Sequence, residues 1–562
     1  MLFAALVVPF VVDWNAFRPT FEREAEKVLG QAVHVDGDVT LRILPMPYLD
    51  VTDIRVGGSA DQPMLEIARF STRVELIPLL SGDIRVAEMT IDRPVAAVTV
   101  DESGAIDWLK RSAASQSLDP AAVTLQHVTV RNGSLSYLDS RSGRVLALSA
   151  IDAGIDARSL LGPWKVEGNL TIEGQPTAFR LATGKQEADG SIRAKLDLAP
   201  AALPFTASAD GVVNQDGKGP LWGGTFTLAE VLPPTKEGEP VPPPGWRALG
   251  SFELRPDMLR LPELTLAEGP EDRPFSLTGA ATVALGTDMR FDAVLKSRQV
   301  DLDRSLGKGP NEPVDVNAAG AALVTALSQL PRPPIPGRIG FDVPGIVVGG
   351  SVVQNLQFDA ATDRDGWRVE ELAADLPGRT RLSADGTVTT TPTVRFVGGV
   401  RLRSDQPSIF AAWWRGAPTG TRLPLQPFDM SGQLDVAPEE IRISAMTARM
   451  DESNIRGGLD WKRDASGRRD FAVDLKADRF DYDQAASLTE LFAGRSVTEN
   501  GGLADSFRVK LAAGSFVIGD TTLADVSADG SYADGVLVAN RFQVGDLAGA
   551  SIGASGKLAD LD

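Results

Sequence analysis

"GQAVHVDGDVTLRILPMPYLDVTDIRVGG", residues 30–58, sets the pattern for most of the chain. From Val33 to Ile43 the apolar residues fall on one parity: Val33, Val35, Val39, Leu41 and Ile43. That two-residue period is the mark of a strand buried on one face. Pro45 and Pro47 interrupt it, and Leu49, Val51, Ile54 and Val56 then start a second run. Nothing in the stretch points to chemistry, so the question it raises is what a long chain of such strands is for.

The pattern continues outward. "FSTRVELI" alternates through Phe70, Thr72, Val74 and Leu76, and "DIRVAEMTID" through Ile84 and Val86, then Met89 and Ile91 after a one-residue shift that predicts a bulge or turn. "WKVEGNLTIEG", "SIRAKLDLA" and "LTGAATVALG" read the same way, with Gly, Asp and Asn between them as in antiparallel strands. Helices are few. Residues 13–30 carry Trp14, Phe17, Phe21, Ala25 and Val28 on one face and stop at Gly30. That face suits either the membrane surface or the core edge of the sheet that follows, and the second is favoured. Residues 405–416 and 481–494 are the other helix candidates.

Proline-rich stretches at 232–246 and 330–337 and a softer break at 110–122 suggest boundaries. The organisation expected is 1–12, a partial membrane anchor; 13–30, an amphipathic helix; 31–110, a first β unit; 120–232, a β region; 247–330, a β repeat; and 338–562, further β repeat that continues beyond the chain end. Residues 291–306 and 471–488 echo each other: a strand, a Lys (Lys296, Lys476), then Asp-x-Asp at Asp301/Asp303 and Asp481/Asp483. In each, a strand runs into an Asp-capped helix. The fold class expected is therefore mainly β, an elongated antiparallel, twisted groove-like (taco-shaped) sheet or row of β-units with an N-terminal membrane helix.

Composition excludes several functions. A net charge of −19 argues against nucleic acid, which needs a basic surface. With no cysteine, disulfides, thiolate catalysis and Cys-ligated zinc are ruled out. The two histidines, His34 and His127, sit far apart in strand-like sequence and suit surface positions better than metal ligation. "GASIGASGKL" (549–558) has Ser551 and Leu558 where a phosphate loop needs Gly and Ser/Thr. Most carboxylates sit where turns want them. No catalytic, cofactor or metal site is expected, and a carbohydrate-active enzyme ranks last among the readings.

"MLFAALVVPFVV", residues 1–12, is uninterrupted apolar sequence. As a helix it would reach ~18 Å, short of the ~30 Å hydrocarbon core. A buried strand or helix fits it; the favoured reading is the end of a transmembrane anchor formed by Leu2, Phe3, Leu6, Val7, Val8, Phe10, Val11 and Val12.

The first 110 residues resemble the start of the AsmA family. The resemblance is carried by Gly37, Asp38, Val39, Pro45, Pro47, Asp53 and Ile54, then by Pro78, Leu79, Leu80, Gly82, Pro94, Gly104 and Trp108. Gln31 stands where the family usually has a basic residue. The family implies an inner-membrane anchor with the bulk of the chain in the periplasm of a Gram-negative bacterium. Its N-terminal region is similar to the chorein-type start of bridge-like lipid transfer proteins. The reading that follows is a non-enzymatic carrier or conduit for phospholipid that supports outer-membrane homeostasis. Candidate groove or core residues are Val39, Leu41, Ile43, Val74, Leu76, Ile84 and Val86. Phospholipid acyl chains and the inner membrane are the partners expected. A scaffold or assembly factor for outer-membrane proteins is the alternative, and closed β-sandwiches would satisfy the same alternation as an open groove.

Overall fold

The computed structural model describes residues 13–44, 46–58, 63–80, 84–101, 123–140, 143–159, 161–217, 219–231, 245–269, 275–297, 300–305, 314–316, 318–320, 335–364, 366–390, 393–415, 425–493, 504–547 and 549–559. It divides into two compact units, Met1–Phe291 and Asp292–Asp562. The anchor residues Leu2, Phe3, Leu6, Val7, Val8, Phe10, Val11 and Val12 lie outside the described residues, as do Pro45, Gly82 and Trp108. Among the described residues no helix is long and apolar enough to cross a membrane.

The first unit opens with a 3-10 turn, Trp14–Phe17, whose Asn15 amide donates to the Asp13 carboxylate at 3.0 Å. Helix α1 (Arg18–Leu29) follows, with proline in its first turn and a left-handed Gly30 at its end (φ 69°). Trp14, Phe21 and Ala25 pack on Val33, Val35, Val39, Val51, Ile54 and Val56. The apolar helix face thus closes the core of the first strands, the favoured of its two expected roles.

Those strands are β1 (Val33–Val35), β2 (Val39–Arg42), β3 (Tyr48–Val56) and β4 (Leu65–Val74). Between β1 and β2 the chain breaks at Gly37, where a Cβ would meet the Thr52 hydroxyl at 2.2 Å and its carbonyl at 2.6 Å. Opposite it, Asp53 sits at φ 51°, which shifts the parity of β3 between Val51 and Ile54. This explains the spacing of Leu49, Val51, Ile54 and Val56, three positions apart at the centre instead of two. Left-handed residues recur at Arg93, Asn132 and Ala150, in successive strands close to the same level of the sheet. Such aligned bulges bend strands and increase their twist.

A short helix α2 (Leu76–Leu80) leads to β5 (Ile84–Val100), where Arg73 and Val74 of β4 face Glu88 and Val86. Ala87 is the extra residue, so the predicted shift is a bulge within one strand. The unit continues through β6 (Val123–Asp139), β7 (Arg144–Ala157), β8 (Trp164–Ile172), β9 (Gln175–Thr183), β10 (Ile192–Pro200), β11 (Phe205–Asp216), β12 (Gly219–Glu230), β13 (Trp246–Leu254), β14 (Met258–Glu268) and β15 (Phe275–Ala284). From β3 to β15 each strand pairs with the next in chain order.

The second unit begins within β16 (Arg290–Lys296), followed by β17 (Val300–Asp301) and helix α3 (Leu302–Ser305). Strands β18 (Gly337–Val348), β19 (Ser351–Asp363), β20 (Gly366–Leu376), β21 (Thr380–Thr389) and β22 (Arg395–Ser404) lead to helix α4 (Pro407–Arg415). Then come β23 (Phe428–Ala437), β24 (Glu440–Met450), β25 (Ser453–Arg463), β26 (Arg469–Asp481), helix α5 (Tyr482–Ala493), β27 (Ser506–Ile518), β28 (Thr521–Ala533), β29 (Val536–Leu547) and β30 (Ala550–Leu558). Helices α4 and α5 fall where the sequence placed them. Asp301 and Asp481 accept from the amides three residues on, Arg304 and Gln484, both at 3.0 Å, so both act as helix caps.

Two expectations need correction. The sheets are not wholly antiparallel: β5–β6, β17–β18 and β26–β27 are parallel. Each pair is separated by a long connection, as a parallel crossover requires; the stretch 110–122, expected as a soft boundary, falls between two directly paired strands. Within each unit the pairings define strands stacked solenoid-fashion in chain order, rather than the taco-shaped groove expected.

The β26–β27 crossover is clamped at its open end. Asp505 accepts from the Arg469 guanidinium at 3.0 Å and from its backbone amide at 2.8 Å. These bonds, the guanidinium first, pull the Asp505 carboxyl down to about 2. A folded value below the unfolded one of about 3.9 means the clamp stabilises fully above ~pH 4 and fades as pH falls through its folded value. The carboxyl resonance of Asp505 should therefore titrate with a midpoint near 2; a midpoint near ~4 would show that the clamp is not formed in solution.

A candidate apolar binding face

Register turns the alternation of single strands into continuous rows. In the first unit one row runs Leu41, Leu49, Thr72, Met89, Val128, Ile155, Val166, Leu181, Leu196, Ala209, Phe226, Gly250, Leu264, Gly279, each directly paired with the next. Two residues along on the same face runs Val39, Val51, Phe70, Ile91, Val130, Ala153, Gly168, Phe179, Leu198, Ala207, Leu228, Ala248, Leu266, Leu277. Both cross every strand from β2 to β15. At ~4.8 Å per strand they extend roughly 60 Å. Gly250 belongs in its row for want of space: a Cβ there would sit 1.8 Å from the Glu263 carbonyl.

The row between them, on the opposite face, is Thr40, Asp50, Ser71, Thr90, Thr129, Gly154, Glu167, Arg180, Asp197, Ser208, Thr227, Leu249, Thr265, Thr278. Only Gly154 and Leu249 lack a polar side chain. Ion pairs join the strands on this face: Arg69–Asp50 (2.8 Å), Arg73–Glu88 (2.7 Å) and Arg193–Asp210 (3.0 Å). The Arg193 guanidinium holds the Asp210 carboxyl below its ordinary value. Exposed pairs of this kind contribute ~0–1 kcal/mol each, so their consequence is which face stays wet rather than how stable the sheet is.

The apolar face is half covered. In the first row only Thr72 and Val128 are buried, and in the second only Val39, Val51, Ala153 and Ala248; the others are half-buried. Among the described residues the buried core cluster of this unit lies at β1–β3, under α1. Beyond it, among the described residues, no second layer buries the rows as a sandwich core would.

In the second unit the corresponding face has two zones. Leu402, Met430, Ala448, Ile455, Ala477, Ala513 and Val526 form one paired row. Helices α4 and α5 cover much of it: Phe410, Trp413 and Leu491 are buried with Ala448, Ile455 and Ala513, and the Trp413 indole donates to the Val348 carbonyl at 2.8 Å. Toward the other strand ends runs an aromatic-rich row, Trp367, Val388, Phe396, Val436, Ile441, Trp461, Phe471, Phe507, Tyr532, Leu537. It is half-buried or, at Phe507, exposed.

Of the candidates read from sequence, Val39 and Leu41 stand in the two rows of the first unit. Val74 and Val86 pair on the same face and continue to Leu125 and Ala157. Ile84 opens β5. Ile43 and Leu76 fall outside the strands, Ile43 just after β2 and Leu76 at the start of α2, and Ile43 is exposed. Among the motif residues, Gly37, Asp38 and Asp53 build the break between β1 and β2, with the Thr52 amide donating to the Asp38 carbonyl at 3.1 Å. Pro47 accepts from Val74 N at 3.0 Å, and Pro94 sits within the bulge line of β5. Sequence reasoning missed the central residues, Ile155 to Phe226, because alternation alone does not reveal which strands are neighbours. Among the described residues no group of three His, Asp or Glu is placed to hold a metal ion.

A stack of amphipathic strands with one long apolar face and one ionic face defines a protein built for extended apolar contact. Residues 1–200, about a third of the chain, match the AsmA family model. No curated protein and no solved structure matches it.

Proposed function

We propose that the protein is a non-enzymatic carrier of phospholipid, holding acyl chains against the apolar rows of its stacked strands and serving outer-membrane homeostasis from an inner-membrane anchor in the periplasm. The observation that carries this reading is the pair of fourteen-strand rows left half-buried on one face. An acyl chain needs contiguous apolar contact and no particular hydrogen bond, and such rows offer that contact. Headgroups would remain in water, so no headgroup pocket is required. The match to the AsmA family model is consistent with an envelope function.

The test is native mass spectrometry of the full chain from a periplasm-bearing host, with extraction and identification of what it holds. Phospholipid bound at several molecules per chain is expected. A lipid-free folded protein would overturn the reading and favour the second one, a scaffold for outer-membrane proteins.

A further inference from the structure

We infer that the first unit touches a bilayer surface directly through two apolar turns, independently of how acyl chains are carried. The β2–β3 turn and α2 lie at the same end of the sheet, because β2 ends and β3 begins there, as β4 ends and β5 begins. Backbone hydrogen bonds tie them side by side: Val74 N to Pro47 O at 3.0 Å and Glu75 N to Arg85 O at 2.9 Å. Three of their described side chains are apolar and exposed: Ile77 is 83% exposed, Met46 45% and Ile43 39%. A lone exposed apolar residue needs no explanation, but three on adjoining turns of one sheet end do.

What stands behind the turns identifies the partner as lipid rather than protein core. Arg42, Arg73 and Arg85 occupy the turn-proximal ends of β2, β4 and β5 in a chain whose net charge is −19; Arg73 is ion-paired with Glu88 at 2.7 Å, and Glu75 accepts from the Gln126 side chain at 2.9 Å. The Arg73 guanidinium lies 5.7 Å from the Tyr48 ring centre. Apolar tips backed by arginine and tyrosine are the arrangement of an interfacial anchor, with the tips in the acyl boundary and the ring and cations at headgroup level. The chain path agrees. Asn15 accepts from Val39 N at 3.0 Å and Arg18 donates to Gly37 O at 2.7 Å. The start of α1 is thus nearer this end than Gly30, which leads into β1 at the far end of β3. Asp13 and Asn15 therefore lie in the same half of the sheet as the two turns.

The absence of cysteine makes the test clean. Met46→Cys, Ile77→Cys and Leu203→Cys are labelled singly with an environment-sensitive fluorophore in the full chain. Leu203 is 44% exposed in the β10–β11 turn, at the opposite sheet end. Each variant is mixed with vesicles of phosphatidylethanolamine and phosphatidylglycerol carrying brominated acyl chains. Quenching at positions 46 and 77, at a depth of ~5–10 Å into the interface, and none at 203 is expected. Equal quenching at all three, none at 46 and 77 in vesicle-bound protein, or failure to bind vesicles would each overturn the inference. Loss of lipid in the mass-spectrometric test would leave this result unchanged, so the two readings fail separately.

Discussion

Replacing Leu196 with Glu should strip the protein of bound phospholipid, whereas Glu at Thr227 should leave it loaded. Leu196 is half-buried at the centre of the first apolar row, paired with Leu181 on one side and Ala209 on the other. Thr227 lies on the polar row, paired with Ser208. A carboxylate facing an acyl chain either loses hydration, at a cost of several kcal/mol, or keeps water and breaks the apolar contact. Since ~1.4 kcal/mol is already tenfold in affinity, occupancy should fall by at least about tenfold. The fold should survive: losing a half-buried leucine from one of many strands costs about 1–2 kcal/mol. Circular dichroism and quantified lipid extraction on both variants check the result. If Leu196→Glu folds and retains its lipid, acyl chains do not lie on this face. If both variants lose lipid, the effect is of charge and not of place.

How much of this could be read from sequence varies with the range of the interaction. Local patterns were legible: the parity of Val33 to Leu41, the stop at Gly30, the bulge announced by the Val86–Met89 shift, and the Asp caps of α3 and α5. Each is decided within one element by backbone geometry. Neighbour relations were not legible. The parallel β5–β6 pair is made across more than twenty intervening residues, and nothing local distinguishes that connection from a linker. Parity alone places Ile43 and Leu76 in strands, although β2 ends at Arg42 and a helix containing Pro78 begins at Leu76. The rows themselves are a product of register. A one-residue slip in any hairpin would move that strand's apolar residues to the ionic face, so apolar continuity over fourteen strands depends on every turn.

The repeated Asp-x-Asp shows how one sequence signal can carry two energies. Replacing Asp303 with Ala should destabilise the second unit by about 3–6 kcal/mol, whereas Asp483→Ala should cost about 1 kcal/mol. Both second aspartates lie in the first helical turn and accept from a hairpin turn. Asp303 is 7% exposed and accepts from Val314 N at 2.9 Å, Gly349 N at 2.9 Å and Gly350 N at 2.8 Å. Gly349 and Gly350 are left-handed, at φ 61° and 70°, which turns successive amides toward the carboxylate. The site cannot readily loosen, because a Cβ on Gly349 would lie 2.5 Å from Val316 and 3.1 Å from the Trp413 indole nitrogen. Removing the carboxylate leaves three donors in a packed place, each costing ~1–3 kcal/mol if unsatisfied. Asp483 accepts a single exposed bond, from Gly519 N at 2.9 Å, and there water can replace it. A chain of two units need not unfold in one step, so the readout should be local. Amide exchange at Gly349 and Gly350 should accelerate by at least about a hundredfold in Asp303→Ala and remain unchanged in Asp483→Ala. Equal, small effects from both would mean that the amides bonded to Asp303 find other partners once the carboxylate is gone.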